Sequence, residues 1–161
     1  MTKLSVLYVC TENICRSPLA EGIMLEMLKD HGLKKCIKVD SAGIHASQPG
    51  HKPDARAVKV AGQMGIKLRG IRARRVTSAD FVKNDYVLAM DEGNHQALKE
   101  ICPPEFMDKI YLFMDFAPES ELAEVPDPYY GPVAGFDYVF ELLQKANQGL
   151  LAELLKQINK D

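Results

Sequence analysis

The stretch Leu4-Ser5-Val6-Leu7-Tyr8-Val9-Cys10-Thr11-Glu12-Asn13-Ile14-Cys15-Arg16-Ser17-Pro18 decides how this chain is read. Leu4 to Val9 is short, partly β-branched and uncharged, the pattern of a strand buried on both faces of a parallel sheet. Beyond Ser17, the residues Leu19, Ala20, Ile23, Met24, Met27 and Leu28 recur at spacings of three and four and so share one helical face. Ser17 suits the N-cap and Pro18 the first helical position, where a missing N–H does no harm. A strand-to-helix turn gathers backbone N–H groups and the positive end of the helix dipole around one point, which favours an anion. Cys10 and Arg16 are both expected to face that point.

A helix N-terminus and a nearby cation favour the thiolate form of a cysteine, so Cys10 reads as a nucleophile. Arg16 brings planar, bidentate donors that match a tetrahedral oxyanion such as phosphate. The competing reading is structural, because cysteine is among the most buried residue types and often packs at a strand end. A second feature has to decide between them.

Outward from this turn, strands and helices alternate. The first helix stops near His31-Gly32, and Cys36 to Gly43 reads as a second strand ending in Asp40-Ser41-Ala42-Gly43. His45 to Pro53 is a loop, and Asp54 caps a helix to about Met64 with Ala57, Val58, Ala61 and Met64 inward. Arg69, Arg72, Arg74 and Arg75 lack interleaved aromatics and read as a solvated or salt-bridged loop rather than a nucleic-acid patch. Tyr86 to Met90 is a third strand, with Asp91 capping a helix to about Ile101, and Lys109 to Phe113 is a fourth. Ala117 to Pro132 is longer than a minimal connection and is a candidate functional loop. A last helix from about Val133 buries Phe136, Val139, Phe140, Leu143, Leu150, Leu151, Leu154 and Ile158, and Gly149 weakens or bends it. The alternation predicts one domain over residues 1–161, a three-layer α/β fold with a parallel sheet and helices on both faces. Ligands of such sheets bind beyond the carboxyl ends of the strands, where Cys10, Ser41, Asp91 and the loop after Phe113 emerge.

Twenty Lys and Arg against twenty-two Asp and Glu leave a net charge of −2, which favours neither a nucleic-acid nor a membrane partner. No stretch approaches the roughly eighteen apolar residues of a membrane span, and no leader pattern precedes Leu4, so a cytoplasmic location is expected. Cys10, Cys15, Cys36 and Cys102 lack zinc-site spacing and are too few for a disulfide scaffold, and the histidines are scattered. Metal catalysis is therefore not expected.

The second feature is Pro126-Asp127-Pro128-Tyr129-Tyr130-Gly131 in the late loop. A phosphocysteine mechanism needs an acid for the leaving group and then a base for water, and one carboxylate, here Asp127, serves both steps. Tyr129 and Tyr130 offer walls for an aromatic ring. By itself this segment also reads as a plain turn, since Asp-Pro and Gly are turn residues.

Together the two motifs closely resemble the low-molecular-weight protein tyrosine phosphatase family. The resemblance runs through CTENICRSP, DSAG, PDARA, ARRVTSADF, YVLAMDEGN and DPYYG, nearly the whole chain. It implies a four-stranded parallel sheet of flavodoxin-like order 2-1-3-4 and hydrolysis of phosphotyrosine without metal or cofactor. It makes Cys10 the nucleophile, Arg16 the phosphate clamp and Asp127 the general acid and base. Thr11, Glu12, Asn13, Ile14, Cys15 and Ser17 complete the phosphate loop, with Ser17 donating to the Cys10 sulfur and Asn13 and Ser41 holding the loop's shape. Tyr129 and Tyr130 flank the substrate ring and are phosphorylated in some members, and Cys15 can form a protective disulfide with Cys10 under oxidation. The implied partners are phosphotyrosine-bearing proteins, a tyrosine kinase being one candidate, and the protein is expected to be a monomer or to self-associate weakly.

Two positions depart from the family pattern. Glu12 stands where glycine is common, so a positive φ there would cost on the order of 1 kcal/mol, and a carboxylate would sit near the phosphate unless it points outward. Ile71 stands where the hydrogen-bond network often has histidine, which leaves loop rigidity open to change. Rival readings are a thiol-dependent arsenate reductase, a protein arginine phosphatase and a weakly active phosphotyrosine-binding module. Cys36 and Cys102 do not form the close resolving pair of the first. The bulky Ile14 disfavours the second, and Glu12 is the only motive for the third.

Overall fold

The computed structural model describes residues 3–132 and 134–160. Its four strands, β1 (Leu4–Cys10), β2 (Ile37–Gly43), β3 (Tyr86–Ala89) and β4 (Ile110–Leu112), form one parallel sheet of order β2-β1-β3-β4, as expected. The helices are α1 (Arg16–Asp30), α2 (Ala55–Gln63), α3 (Ser78–Lys83), α4 (Glu92–Ile101) and α5 (Ala134–Ile158), and Val133, read as the start of the last, lies outside the described residues.

Alternation along β1 creates two cores. Val6, Tyr8 and Cys10 face the larger one with α1, α2 and α5, whereas Leu7 and Val9 face the smaller one with Phe81 of α3 and Leu98 of α4. Both sides of the central strand are therefore sealed, which explains its unbroken apolar sequence. The Tyr8 hydroxyl is satisfied by Asn147 Oδ1, and Asn147 Nδ2 donates to Ala20 O at 3.0 Å, tying α5 and α1 to the sheet.

Three expectations need correction. The first helix begins at Arg16, so Ser17 is not its N-cap and Pro18 is its third residue. The Ser17 hydroxyl is engaged inside the turn instead, as described below. On α2 the buried stripe is Ala57, Val60 and Ala61, while Val58 and Met64 are 45% and 57% exposed. A narrow i, i+3, i+4 stripe suffices because the helix lies at the rim of the core. Strand four is shorter than Lys109 to Phe113 because short 3-10 helices, Pro104–Lys109 and Phe113–Phe116, flank it. In addition, α3 falls between the arginine-rich loop and the third strand, where no element is expected. It is announced by Thr77 and Asp80, whose carboxylate accepts the Thr77 N–H at 2.8 Å, and its inward Phe81 is fully buried.

Candidate active site

Residues 11–15 form the turn between β1 and α1, beyond the carboxyl end of the sheet. The turn lies against the end of β2, where a Cβ on Gly43 would come within 2.9 Å of Glu12 C and Thr11 O, so no larger residue fits there. The Ile44 and His45 N–H groups donate to Cys10 O and Thr11 O, both at 2.9 Å, and close the turn onto that strand.

Asn13 sits at φ 62°, in the left-handed region that asparagine tolerates best among residues with a Cβ. Its amide is fully used: Nδ2 donates to Ser17 Oγ at 2.8 Å and to Ser41 Oγ at 3.0 Å, and Oδ1 accepts the Arg74 N–H at 3.0 Å. A backbone N–H only donates, so this last bond fixes which way the amide faces. With Asn13 donating to Ser17, the Ser17 O–H is left for Cys10 Sγ at 3.0 Å, the Ala42 carbonyl being farther at 3.4 Å. The Ser41 hydroxyl donates to Glu21 Oε1 at 2.6 Å. A buried hydrogen-bond chain thus runs Glu21, Ser41, Asn13, Ser17, Cys10. Burial is the main cause that pushes the Glu21 carboxyl up to about 7, opposed by the Ser41 hydrogen bond. Ile71 joins the apolar cluster rather than this chain, and the Arg74 backbone anchors the amide.

Arg16 is 1% exposed, yet its side chain lines the cavity above the turn. Nη1 donates to Asp91 Oδ2 at 2.7 Å and to Val125 O at 2.9 Å, and Nη2 donates to Thr11 Oγ1 at 3.3 Å. Asp127 Oδ2 stands 3.6 Å from Nη2, while Asp127 Oδ1 accepts the Tyr129 N–H at 3.0 Å. Asp91 works at both oxygens, since Oδ1 also caps α4 through the Asn94 N–H at 2.7 Å.

The cavity, of about 240 Å³, is floored by Cys10, Ile14, Cys15 and Arg16. Thr11 and Glu12 rise on one side with Ser47 and Gln48, and Asp127, Tyr129 and Tyr130 complete the lining. The two tyrosine rings meet edge to face, 4.8 Å between centroids, with Tyr130 91% exposed. Arg56 lies over the Tyr129 ring, 5.4 Å from its centroid, and is paired with Asp54 at 3.0 Å. Asn13, Ser17 and Ser41 support the turn from behind and do not line the cavity. Glu12 does not carry the positive φ. Its carboxylate turns to the wall and accepts from both the N–H and the hydroxyl of Ser47. Burial, with Asp54 next in weight, pushes the Cys15 thiol far up.

Sequence reasoning missed the second role of Asp91, the carbonyl of Val125, Ser47 and Gln48 in the wall, and Glu21. The signal for Asp91 was present, a carboxylate at the carboxyl end of a strand. Glu21 carried a weaker one, an acid placed between Ala20 and Ile23 on the inward side of a helix.

This anion cradle with its cysteine agrees with what the chain is similar to. Residues 5–160 match the family described as low molecular weight phosphotyrosine protein phosphatase. The Bacillus subtilis low molecular weight protein-tyrosine-phosphatase YfkJ is 37% identical over 154 residues, 96% of this chain and 97% of that protein. A crystal structure of a protein tyrosine phosphatase from Entamoeba histolytica, with Hepes in its active site, superposes with a TM-score of 0.92 at 37% identity, covering 96% of this chain and 99% of that one. The YwlE arginine phosphatase is more distant, with a TM-score of 0.84 at 26% identity over 95% of this chain and 97% of that one. The chain belongs to the low molecular weight phosphotyrosine protein phosphatase family.

Proposed function

We propose that this protein hydrolyses phosphotyrosine in protein substrates through a phosphocysteine on Cys10. The observation that carries the reading is the convergence of Cys10, Arg16 and Asp127 on one tyrosine-walled cavity. The Cys10 sulfur, as thiolate, attacks phosphorus while the bond to the tyrosine oxygen breaks and Asp127 gives that oxygen a proton. Asp127 then takes a proton from water, the water oxygen bonds to phosphorus, the S–P bond breaks and inorganic phosphate leaves. Arg16, held by Asp91 and Val125, follows the charge on the equatorial oxygens. The Ser17 hydroxyl stabilises the departing thiolate. Tyr129 and Tyr130 bracket the substrate ring.

Cys36 speaks against an arsenate reductase. It precedes the first residue of β2, which pairs with Leu4, whereas Cys10 pairs with Gly43 at the other end. Six residues of strand, about 20 Å, separate the two ends. No helix among the described residues is long and apolar enough to cross a membrane. The test is hydrolysis of p-nitrophenyl phosphate by the wild type and Cys10→Ser, with phosphotyrosine and phosphoarginine peptides in parallel. Turnover of the aryl and phosphotyrosine substrates, abolished in Cys10→Ser, is expected. A preference for phosphoarginine would overturn the substrate assignment, and activity surviving in Cys10→Ser would overturn the nucleophile.

A further inference from the structure

The arginine-rich stretch divides in two. Arg74 is consumed structurally, with Nη2 2.8 Å from Asp40 and 2.9 Å from Asp80. Arg69 and Arg72 instead rim a groove of about 630 Å³ between the start of α2 and residues 66–72. Its lining contains four cations, Lys52, Lys67, Arg69 and Arg72, and no acid. None of the four forms an ion pair among the described residues, although Arg16, Arg56 and Arg74 each do. Its apolar lining includes Val58, the residue expected inward and found 45% exposed, with the edges of Ile66 and Leu68, themselves buried, beneath it.

In a chain of net charge −2, an apolar trough bounded only by unpaired cations is complementary to an acidic segment that also carries an aliphatic side chain. Position supplies the second argument. Gln48 lines the catalytic cavity and Lys52 lines the groove, and four residues of chain span at most about 14 Å. An extended substrate peptide covers that distance in about four residues. We propose that this groove docks an acidic, aliphatic-containing segment of the phosphoprotein substrate, about four to eight residues from the phosphotyrosine. The proposal rests on the phosphatase reading and adds a second specificity element to it. Acids beside the phosphotyrosine meet Glu12 and Asp127 at the cavity, whereas acids farther along meet the groove.

The test compares phosphotyrosine peptides with an Asp/Glu/Leu segment or a Ser/Lys/Leu segment placed four to eight residues away on either side, at low and at 0.5 M salt. Wild type and the Lys67→Glu/Arg69→Glu protein are assayed on these peptides and on p-nitrophenyl phosphate. We expect the acidic segment to raise kcat/KM about tenfold at low salt, mainly through KM, with the gain lost in the charge-reversed protein and at high salt. Kinetics on p-nitrophenyl phosphate are expected to be equal in the two proteins. Equal turnover of the acidic and basic peptides, or a preference that survives charge reversal, would overturn docking while leaving the phosphatase intact. Failure of the aryl phosphate assay itself would indict the phosphatase reading instead. Binding of phosphatidylserine vesicles, lost on charge reversal and without any peptide preference, would also overturn the proposal by assigning the groove to a membrane surface.

Discussion

Arg16 Nη1 and Asp91 Oδ2 lie 2.7 Å apart, with the guanidinium almost wholly buried and the carboxylate at the end of the neighbouring strand β3. The same carboxylate caps α4 through Asn94, so the orientation of the cavity-lining arginine is locked to a helix terminus across the sheet. Asp91→Asn keeps an oxygen for the cap but turns an amide NH2, a donor, toward Arg16 where the charged acceptor stood. A hydrogen bond to a charged group is worth about 1.5–3 kcal/mol, so kcat/KM for p-nitrophenyl phosphate should fall roughly 10- to 100-fold. Inhibition by inorganic phosphate should weaken in parallel, because the lost element positions the arginine rather than the leaving group. Unchanged phosphate inhibition would remove Asp91 from that role.

Asp127 is held by the Tyr129 N–H, stands 3.6 Å from Arg16 and lines the cavity. Asp127→Asn should slow turnover by about 10²- to 10⁴-fold for poor phenolate leaving groups and much less for good ones, since only the former need a proton. A series of aryl phosphates of graded leaving-group pKa measures this. A loss independent of leaving group would exclude Asp127 as the acid.

Much of this is legible in the sequence, for a physical reason: the turn from Cys10 to Arg16 and the segment from Pro126 to Gly131 are local patterns in which residue type and spacing already point to the chemistry. What was not legible is long-range. Ser17 has the composition of a cap, but Asn13, in left-handed geometry, takes its lone pair and turns its proton to Cys10. Glu21 would ordinarily be assigned to solvent, and only the approach of Ser41 from β2 reveals why it is inward. Gly149 was read as a weak point in α5. It is a site of close approach, where a Cβ would fall 1.8 Å from the Phe116 carbonyl oxygen. The six-residue α3 is too short for periodicity to show, even though Thr77 and Asp80 announce it.

Glu12 binds Ser47 through its carboxylate, clasping the turn between β1 and α1 to the segment that contains Ala46 at φ 43°. Its charge remains at the cavity wall. Glu12→Gly should raise kcat/KM for peptides with acids adjacent to the phosphotyrosine several-fold more than for p-nitrophenyl phosphate, since a nearby like charge is removed. Glu12→Gln separates charge from clasp, because its amide oxygen still accepts from Ser47, and it should reproduce most of the peptide effect. Equal changes on both substrate types would refute a charge-based role.

Glu21 couples the buried chain to pH. Its carboxyl is pushed from the ordinary 4.5 up to about 7, first by burial, with Asp40 adding and the Ser41 hydrogen bond and Arg74 opposing. The folded state therefore holds a proton that the unfolded chain has already lost between those two values. The stabilisation is fully present below about 4.5, declines as pH rises and is gone above about 7. Two and a half pH units correspond to on the order of 3 kcal/mol. Glu21→Gln is neutral at every pH and keeps an amide oxygen to accept the Ser41 proton, so it should leave the Asn13 geometry in place while removing this slope. Denaturant unfolding of both proteins at pH 4.5 to 8 measures the difference: the wild type should lose stability relative to the variant across the range and level off near pH 8. A constant difference between the two would mean that Glu21 titrates alike in the folded and unfolded states and that burial does not hold its proton.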